Sequence, residues 1–88
     1  MAKLTGYQVF SGSIDKHSRQ GYSLEGTYLN INKALTHFHK IVDDTPLYGD
    51  KLEIDDFKRD GKLVHKTADA VGWERVIIAK LEMIEITD

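Results

Sequence analysis

Two histidines one residue apart are the first residues here whose spacing could support metal chemistry. His37 and His39 lie in the segment ALTHFHKIV. A helix turns about 100° per residue, so their side chains would differ by about 200° in direction, and one ion could not lie between them. Metal-binding pairs on a helix are three or four residues apart instead. We therefore interpret both histidines as residues flanking the apolar stripe of a helix, and we predict no metal site.

Two other arrangements also fall short of a catalytic or metal site. Asp15, His17 and Ser18 are close in the chain, but a catalytic triad needs three groups that converge in space. The acids of DKLEIDD (50–56) do not match the EF-hand pattern, because apolar residues fall on two of its ligand positions. No glycine-rich phosphate loop is present. We predict a protein that is not an enzyme, with no catalytic residue and no cofactor.

A polar segment, DKHSRQGYS (15–23), is predicted to be the loop of a hairpin and is a candidate binding site. Lys16, His17 and Arg19 could bind an anion, and Tyr22 could stack on a ring. Trp73, the only tryptophan, could form the floor of the same pocket. This pattern supports one of two candidate functions, the binding of a nucleotide or another small anion. A solvated loop with no ligand remains the simpler interpretation.

The elements that must position these residues form an α+β pattern. We predict one helix packed on an antiparallel sheet of four to five strands, in the order β-β-α-β-β-β. Asp60-Gly61 is typical of a two-residue hairpin turn. The small residues of TADAVGW (67–73) suggest irregular structure. Strand-like patterns occupy 3–14, 24–30, a short piece at 52–54, the flanks of Asp60-Gly61, and 74–87.

The helix has the clearest pattern in the chain. Its apolar residues recur at helical spacing, which places them on one face: Ile31, Ala34, Leu35, Phe38, Ile41 and Val42. Asn30 precedes them and is a favoured N-cap residue. Pro46 cannot continue a helix, so the helix is predicted to end just before it.

The last predicted strand, 74–87, is unusually long and has two apolar patterns. One face would carry Ile77, Ala79, Leu81 and Met83, and the other Val76, Ile78, Ile84 and Ile86, with Lys80 and Glu82 interrupting the second. Either a β-bulge shifts the register or both faces are covered in places. Fourteen residues extend about 46 Å, more than one helix and a small sheet would cover. We therefore predict a homodimer whose interface includes Trp73, Ile78, Ile84 and Ile86.

The composition is that of one small folded domain, predicted to span residues 1–88. Of the 88 residues, 41% are hydrophobic and 30% are charged, which is too apolar for a disordered chain. The sequence has no cysteine, which excludes disulfides and thiolate zinc sites. It shows no membrane-spanning run and no signal-peptide pattern, so we expect a cytoplasmic protein. A net charge of −2 disfavours direct binding to nucleic acid.

The charge is nevertheless uneven along the chain. Residues 43–61 contain seven acids against three bases. Such a run is usually a solvated face, but it could also form an acidic surface that mimics nucleic acid or meets a basic partner. The candidate residues of that acidic surface are Asp50, Glu53, Asp55 and Asp56.

Residues 7–42 contain YQVFSGS, the polar loop, LEGTYLNINKAL and the phenylalanine that follows. In these segments the first half of the chain resembles a group of small uncharacterised bacterial and phage proteins. The resemblance implies a strand-strand-helix fold and a phage-like setting, and it implies no activity. The long last strand departs from that group. We therefore expect a small binding protein that acts on a protein partner, such as a phage-type accessory or inhibitor protein.

Overall fold

The computed structural model of the chain describes residues 3–87. Met1, Ala2 and Asp88 belong to the predicted domain but lie outside the described residues. The elements are β1 (Lys3–Ile14), β2 (Gln20–Tyr28), α1 (Ile31–Asp44), β3 (Lys51–Arg59), β4 (Lys62–Val71) and β5 (Arg75–Thr87). The strands form one antiparallel sheet in the order β2-β1-β5-β4-β3. This architecture confirms the predicted α+β class and the predicted order of elements.

The helix α1 covers one face of the sheet. It begins where the Asn30 side chain accepts hydrogen bonds from the backbone N–H groups of Asn32 and Lys33, as a favoured N-cap does. It packs mainly against β1, β5 and β2. The buried side chains of its apolar face are Ala34, Phe38 and Val42. The predicted stripe is therefore confirmed as the helix's contribution to the core.

The segment 67–73, predicted to be irregular, lies mostly within a strand, so that prediction was wrong. Residues 67–71 end β4, and Ala68 and Ala70 belong to the core. Alanine has a low strand propensity, which is why the segment lacked a strand pattern. Alanines occupy the helix side of this part of β4 and leave the bulk of the core to larger residues such as Phe38 and Leu81.

The two hairpins differ in how closely they match the sequence pattern. Asp60 and Gly61 have φ angles of 53° and 77°, the positive values that the predicted two-residue turn requires. The first hairpin has a shorter loop than predicted, because β2 begins at Gln20 rather than at residue 24. Residues 20–23 lack an apolar strand pattern, as an edge strand can, but they pair with β1.

A β-bulge in β5 explains its two apolar patterns and confirms one of the two predicted alternatives. Ala68 pairs with Ala79, and the next residue of β4, Asp69, pairs with Ile77, which leaves Ile78 as the extra residue. Ile77 is consequently on the opposite face from Ala79, contrary to the simple alternation. Val76 packs against the core and Ile78 is buried. The strand lies in the middle of the sheet, and its length fits the 47 Å long dimension of the molecule.

Candidate interaction surfaces

The sheet face that α1 does not cover carries many large apolar side chains; we call it the open face. Residues paired directly across an antiparallel ladder point to the same side, so the pairing assigns each strand's residues to a face. An antiparallel sheet that faces water usually presents polar residues there. The large apolar residues on the open face are instead Leu4, Phe10, Ile14, Tyr22, Leu24, Phe57, Ile77, Ile84 and Ile86.

Three of these residues form a cluster at one end of β1 and β5. Leu4 pairs with Ile86, and Gly6 pairs with Ile84. The isoleucines pack over Gly6 so closely that a Cβ there would lie 3.1 Å from Cδ1 of Ile86. Leu4 is about half exposed and Ile86 over a third exposed. We call Leu4, Ile84 and Ile86 the terminal cluster.

The structure brings together only two of the four predicted interface residues. Ile84 and Ile86 both belong to the terminal cluster. Ile78 is buried in the core of the chain, so its side chain offers no surface. Trp73 lies in the turn between β4 and β5, at the other end of the sheet. Sequence alternation could not separate these residues, because the bulge at Ile78 changes the register between them.

Away from the terminal cluster, the open face has a second group of side chains, in which the Lys80 ammonium group lies over two aromatic rings. The ammonium group lies 4.0 Å from the ring centroid of Tyr22 and 4.7 Å from that of Phe10. Both distances are within the range of a cation–π interaction. Lys80 also pairs with Glu82 at 3.1 Å. Tyr22, predicted as a loop residue, therefore belongs to the sheet surface.

Two aromatic side chains project from the end of the sheet where β3 begins and β4 ends. Trp73 is fully exposed, and Tyr48 is 93% exposed. Together with Gly49, Asp50 and Gly72 they line one shallow cleft of about 550 Å³. We call Tyr48 and Trp73 the aromatic tip.

The backbone of the aromatic tip is unusual for its residue types. Tyr48 has a φ of 49°, a left-handed conformation that bulky residues rarely adopt. The following Gly49 also has a positive φ, and the N–H of Asp50 donates to the carbonyl of Leu47 to close the turn. The Asp50 carboxylate lies against Gly72, where a Cβ would meet it at 2.1 Å. The two loops that carry the aromatic rings are therefore packed together.

The predicted ligand loop is shorter than expected and is organised around one carboxylate. Asp15 accepts hydrogen bonds from the N–H of His17 at 2.8 Å and from the N–H and Nε of Arg19, both at 3.0 Å. The backbone N–H of Arg19 is the main reason that the pKa of Asp15 lies below its ordinary value. Lys16 and His17 are exposed. The residues that line the cleft beside Trp73 come from 48–50 and 72–73, none from 15–23.

The predicted acidic surface is divided between the two faces of the sheet. Asp56 pairs with Lys66 at 2.6 Å on the helix side. Glu53 pairs with Arg75 at 2.7 Å on the open face. Asp55 is exposed, and Asp50 lies in the aromatic tip's cleft. Alternation along β3 puts Glu53 and Asp55 on the open face and Asp56 on the helix side, and Asp50 precedes the strand, so residues 50–56 do not form one continuous acidic patch.

A buried carboxylate on the open face was not identified from the sequence. The Asp69 side chain is only 8% exposed, and Arg75 donates to its Oδ2 at 2.6 Å. Its Oδ1 is buried and has no hydrogen-bond partner among the described residues. The hydrogen bond to Asp69 is the main cause of a raised pKa at Arg75, with Glu53 second. A lone acid within TADAV, followed by Arg75, was the only sequence signal for this pair.

The histidines that opened the sequence analysis have separate environments. His37 Nδ1 lies 2.7 Å from the Tyr28 hydroxyl, and the rings of His39 and Phe38 form a T-shaped pair with centroids 5.4 Å apart. His65 lies beside Phe57 on the open face, 3.9 Å from Glu82. Within residues 3–87, no three His, Asp or Glu side chains are grouped in a way that could hold a metal ion. No helix in that range is long and apolar enough to cross a membrane.

Comparison of the chain with family models, curated proteins and solved structures finds no match. The interaction surfaces are therefore interpreted from their own geometry.

Proposed function

We propose that this protein is a non-enzymatic binding protein that acts on other proteins and works as a homodimer. The observation that carries the proposal is the open face, an antiparallel sheet surface with exposed leucine, isoleucine and aromatic side chains where polar residues are usual. The exposed Leu4 and Ile86 and the partly exposed Ile84 are grouped at the end of β1 and β5, and such a group of apolar side chains on a small protein marks an interaction site. We propose that a second copy of the chain covers the open face, in line with the homodimer predicted from the sequence.

The terminal cluster is the proposed centre of the dimer contact. Burial of apolar surface contributes about 25 cal/mol for each Å² removed from water. Leu4 and Ile86 are exposed side by side and belong to paired strands, so both would be covered at once. A two-fold axis would place the same patch of each copy against the other, as a self-complementary interface requires.

Replacing Ile86 with lysine should test this contact. We expect the unmodified chain to sediment as a dimer and Ile86→Lys as a monomer, because a lysine in the contact would bury an unpaired charge. Ser23→Lys is the matched control, since Ser23 is exposed on the helix side of the edge strand β2. Sedimentation equilibrium measures the mass of each. An unmodified chain that stays monomeric at high concentration would remove the homodimer from the proposal.

The aromatic tip is the proposed contact for a different protein. Tryptophan and tyrosine are enriched among the residues that dominate protein interfaces. Tyr48 is held in a strained backbone conformation with its ring in solvent, and strain of this kind is typical of functional positions. The setting predicted from the sequence, a cytoplasmic accessory or inhibitor protein of phage type, stays a prediction.

A photo-crosslinking amino acid at position 73 should identify this partner. We expect a specific covalent product from position 73 and none from position 40, an exposed site on α1. The identified protein is then purified and titrated with Trp73→Ala, which should weaken binding at least about tenfold, or about 1.4 kcal/mol. Lys40→Ala should bind as the unmodified chain does. Equal affinity of the two variants would exclude the aromatic tip as the contact.

The alternative function, binding of a nucleotide or another small anion by the 15–23 loop and Trp73, has less support. Arg19 is already paired with Asp15, and the cleft at Trp73 is lined by other residues. Titration of Trp73 fluorescence with a panel of nucleotides checks this alternative. A saturable change with one nucleotide that is lost in Arg19→Ala would favour it over a protein partner at this site.

A further inference from the structure

The sheet divides into two branches at the end opposite the aromatic tip. The ladder between β4 and β5 ends at the pair His65–Glu82. Beyond it, β5 continues to Thr87 and pairs only with β1, while β4 begins at Lys62 and pairs there only with β3. Within the described residues, Met83–Thr87 therefore have a strand neighbour on one side only. We call this division the fork.

A groove of about 720 Å³ occupies the fork on the helix side. One wall is α1, through Ile31 and Leu35, and the other is the β3–β4 hairpin. The remaining lining comes from β1 and β5, including Tyr7 and Met83. The groove is apolar where it meets the helix and mixed along β1 and β5, where Thr5 and Glu85 also line it. Its size is within the range of sites that bind a ligand or a short segment of chain.

The charges of the groove are unequal. Its lining includes Lys66 and Asp56, which neutralise each other at 2.6 Å. Lys58 and Lys62 also line it and take part in no ion pair among residues 3–87; Glu85 is the one acid that faces them without a pair. The groove therefore carries a net positive charge, concentrated on the hairpin wall.

We propose that the fork binds an extended acidic segment of a partner protein, which adds to the sheet beside β5. A strand with one free side offers backbone N–H and C=O groups to a new strand, and this mode of peptide recognition is common. Residues 83–87 provide an edge of about 17 Å. The ammonium groups of Lys58 and Lys62 select a segment whose helix-side positions carry carboxylates, because the side chains of a strand alternate between the two faces of a sheet and the groove lies on the helix side.

This site is distinct from the two surfaces of the proposed function. The groove lies on the helix side of the sheet, whereas the terminal cluster lies on the open face. The aromatic tip is at the other end of the β3–β4 hairpin. Leu4→Lys, which changes the terminal cluster on β1 and not on the edge of β5, and Trp73→Ala should therefore leave binding at the fork unchanged. Failure of the fork proposal and failure of the proposed function can then be told apart.

Fluorescence anisotropy with a short fluorescein-labelled peptide of alternating valine and glutamate tests the proposal. We expect saturable binding that weakens about tenfold in Lys58→Glu/Lys62→Glu. Lys33→Glu/Lys40→Glu is the matched control, since it changes the net charge equally on exposed positions of α1. Amide hydrogen exchange of residues 83–86 should slow when the peptide is bound, because the new strand protects that edge.

Several results would overturn the proposal. A peptide of alternating valine and lysine that binds equally well would exclude selection by charge. A peptide with alternate backbone nitrogens methylated that binds equally well would exclude strand addition, because those N–H groups could no longer donate. Displacement of the peptide by dodecanoate would assign the groove to a small amphiphile, and loss of peptide binding as the concentration of the chain is raised would assign it to a second copy. No binding of the valine–glutamate peptide would also contradict it.

Discussion

Asp69 and Arg75 form an ion pair in which the carboxylate is almost fully buried. The carboxylate is buried, one oxygen accepts from the guanidinium, and the other has no partner among the described residues. A buried charge that loses its partner is much more costly than an exposed one, because it retains the desolvation penalty without the compensating interaction. Arg75 also bridges to Glu53 and so ties β3, β4 and β5 together at one point.

Removing the Arg75 guanidinium should therefore destabilise the chain more than removing the guanidinium of an arginine whose carboxylate partner is exposed. We expect Arg75→Ala to lower the thermal midpoint clearly, and Arg19→Ala, which breaks an exposed pair with Asp15, to leave it almost unchanged. The double variant Asp69→Leu/Arg75→Met should recover most of the loss, because no buried charge remains. Thermal unfolding followed by circular dichroism measures all three. Equal midpoints for the two arginine variants would contradict this account of Asp69.

Individual side-chain roles were predictable only where they depend on local spacing. Asn30 is one such residue, since an N-cap acts on the N–H groups of the next residues in the chain. The relation between His37 and His39 also followed from helical geometry alone. The two ion pairs of Arg75, with Asp69 and with Glu53, could not be predicted in this way, because they depend on how three strands pair in the sheet.

Gln20 links two elements at the point where β1 and β5 separate. The pairing of these strands stops at Ser11 and Ala79. Beyond that point, Gln20 Nε2 donates to the carbonyl of Ile77 at 3.0 Å, and the N–H of Ile77 donates to Gln20 Oε1 at 2.9 Å. The side-chain amide thus replaces a backbone partner next to the β-bulge. Gly12 permits this approach, because a Cβ there would lie 1.9 Å from the Ile77 carbonyl oxygen.

Loss of this amide should loosen the start of β5. We expect Gln20→Ala to cost about 2 kcal/mol, the net value of two partly buried hydrogen bonds. Gln8→Ala is the control, with an expected change within about 0.5 kcal/mol, since no hydrogen bond involves the Gln8 side chain among the described residues. Urea unfolding gives both free energies, and the exchange rate of the Ile77 amide reports the contact directly. A slow Ile77 amide in Gln20→Ala would show that another group holds the strand.

The elements themselves were predictable to different degrees. Helix α1 and the turn at Asp60-Gly61 followed from periodicity and from φ preferences, which are properties of neighbouring residues. The early start of β2 and the strand character of 67–71 did not, because pairing with β1, β5 and β3 overrides weak local propensity there. The bulge was foreseen as an alternative, but only the pairing shows that Ile78 is the extra residue.

At the scale of the whole molecule, one helix covers only one side of a five-stranded sheet. The helix packs against β1, β5 and β2, and the open face has no element of the chain over it within residues 3–87. The sequence indicated an excess of apolar surface through the long last strand. It could not show where the excess lies, since the faces of β5 are set by a bulge and by the pairing of Leu4 and Gly6 with Ile86 and Ile84.

The claim that the open face binds a second copy is tested most directly by isotope-filtered nuclear Overhauser spectroscopy on a mixture of labelled and unlabelled chains. We expect contacts between copies that join the methyl groups of Leu4, Ile84 and Ile86, because the terminal clusters would pack together across a two-fold axis. The same spectrum of Ile86→Lys should lack them, and that of Ser23→Lys should retain them. Contacts between copies that involve only the helix side, or none in a sample at high concentration, would contradict the account.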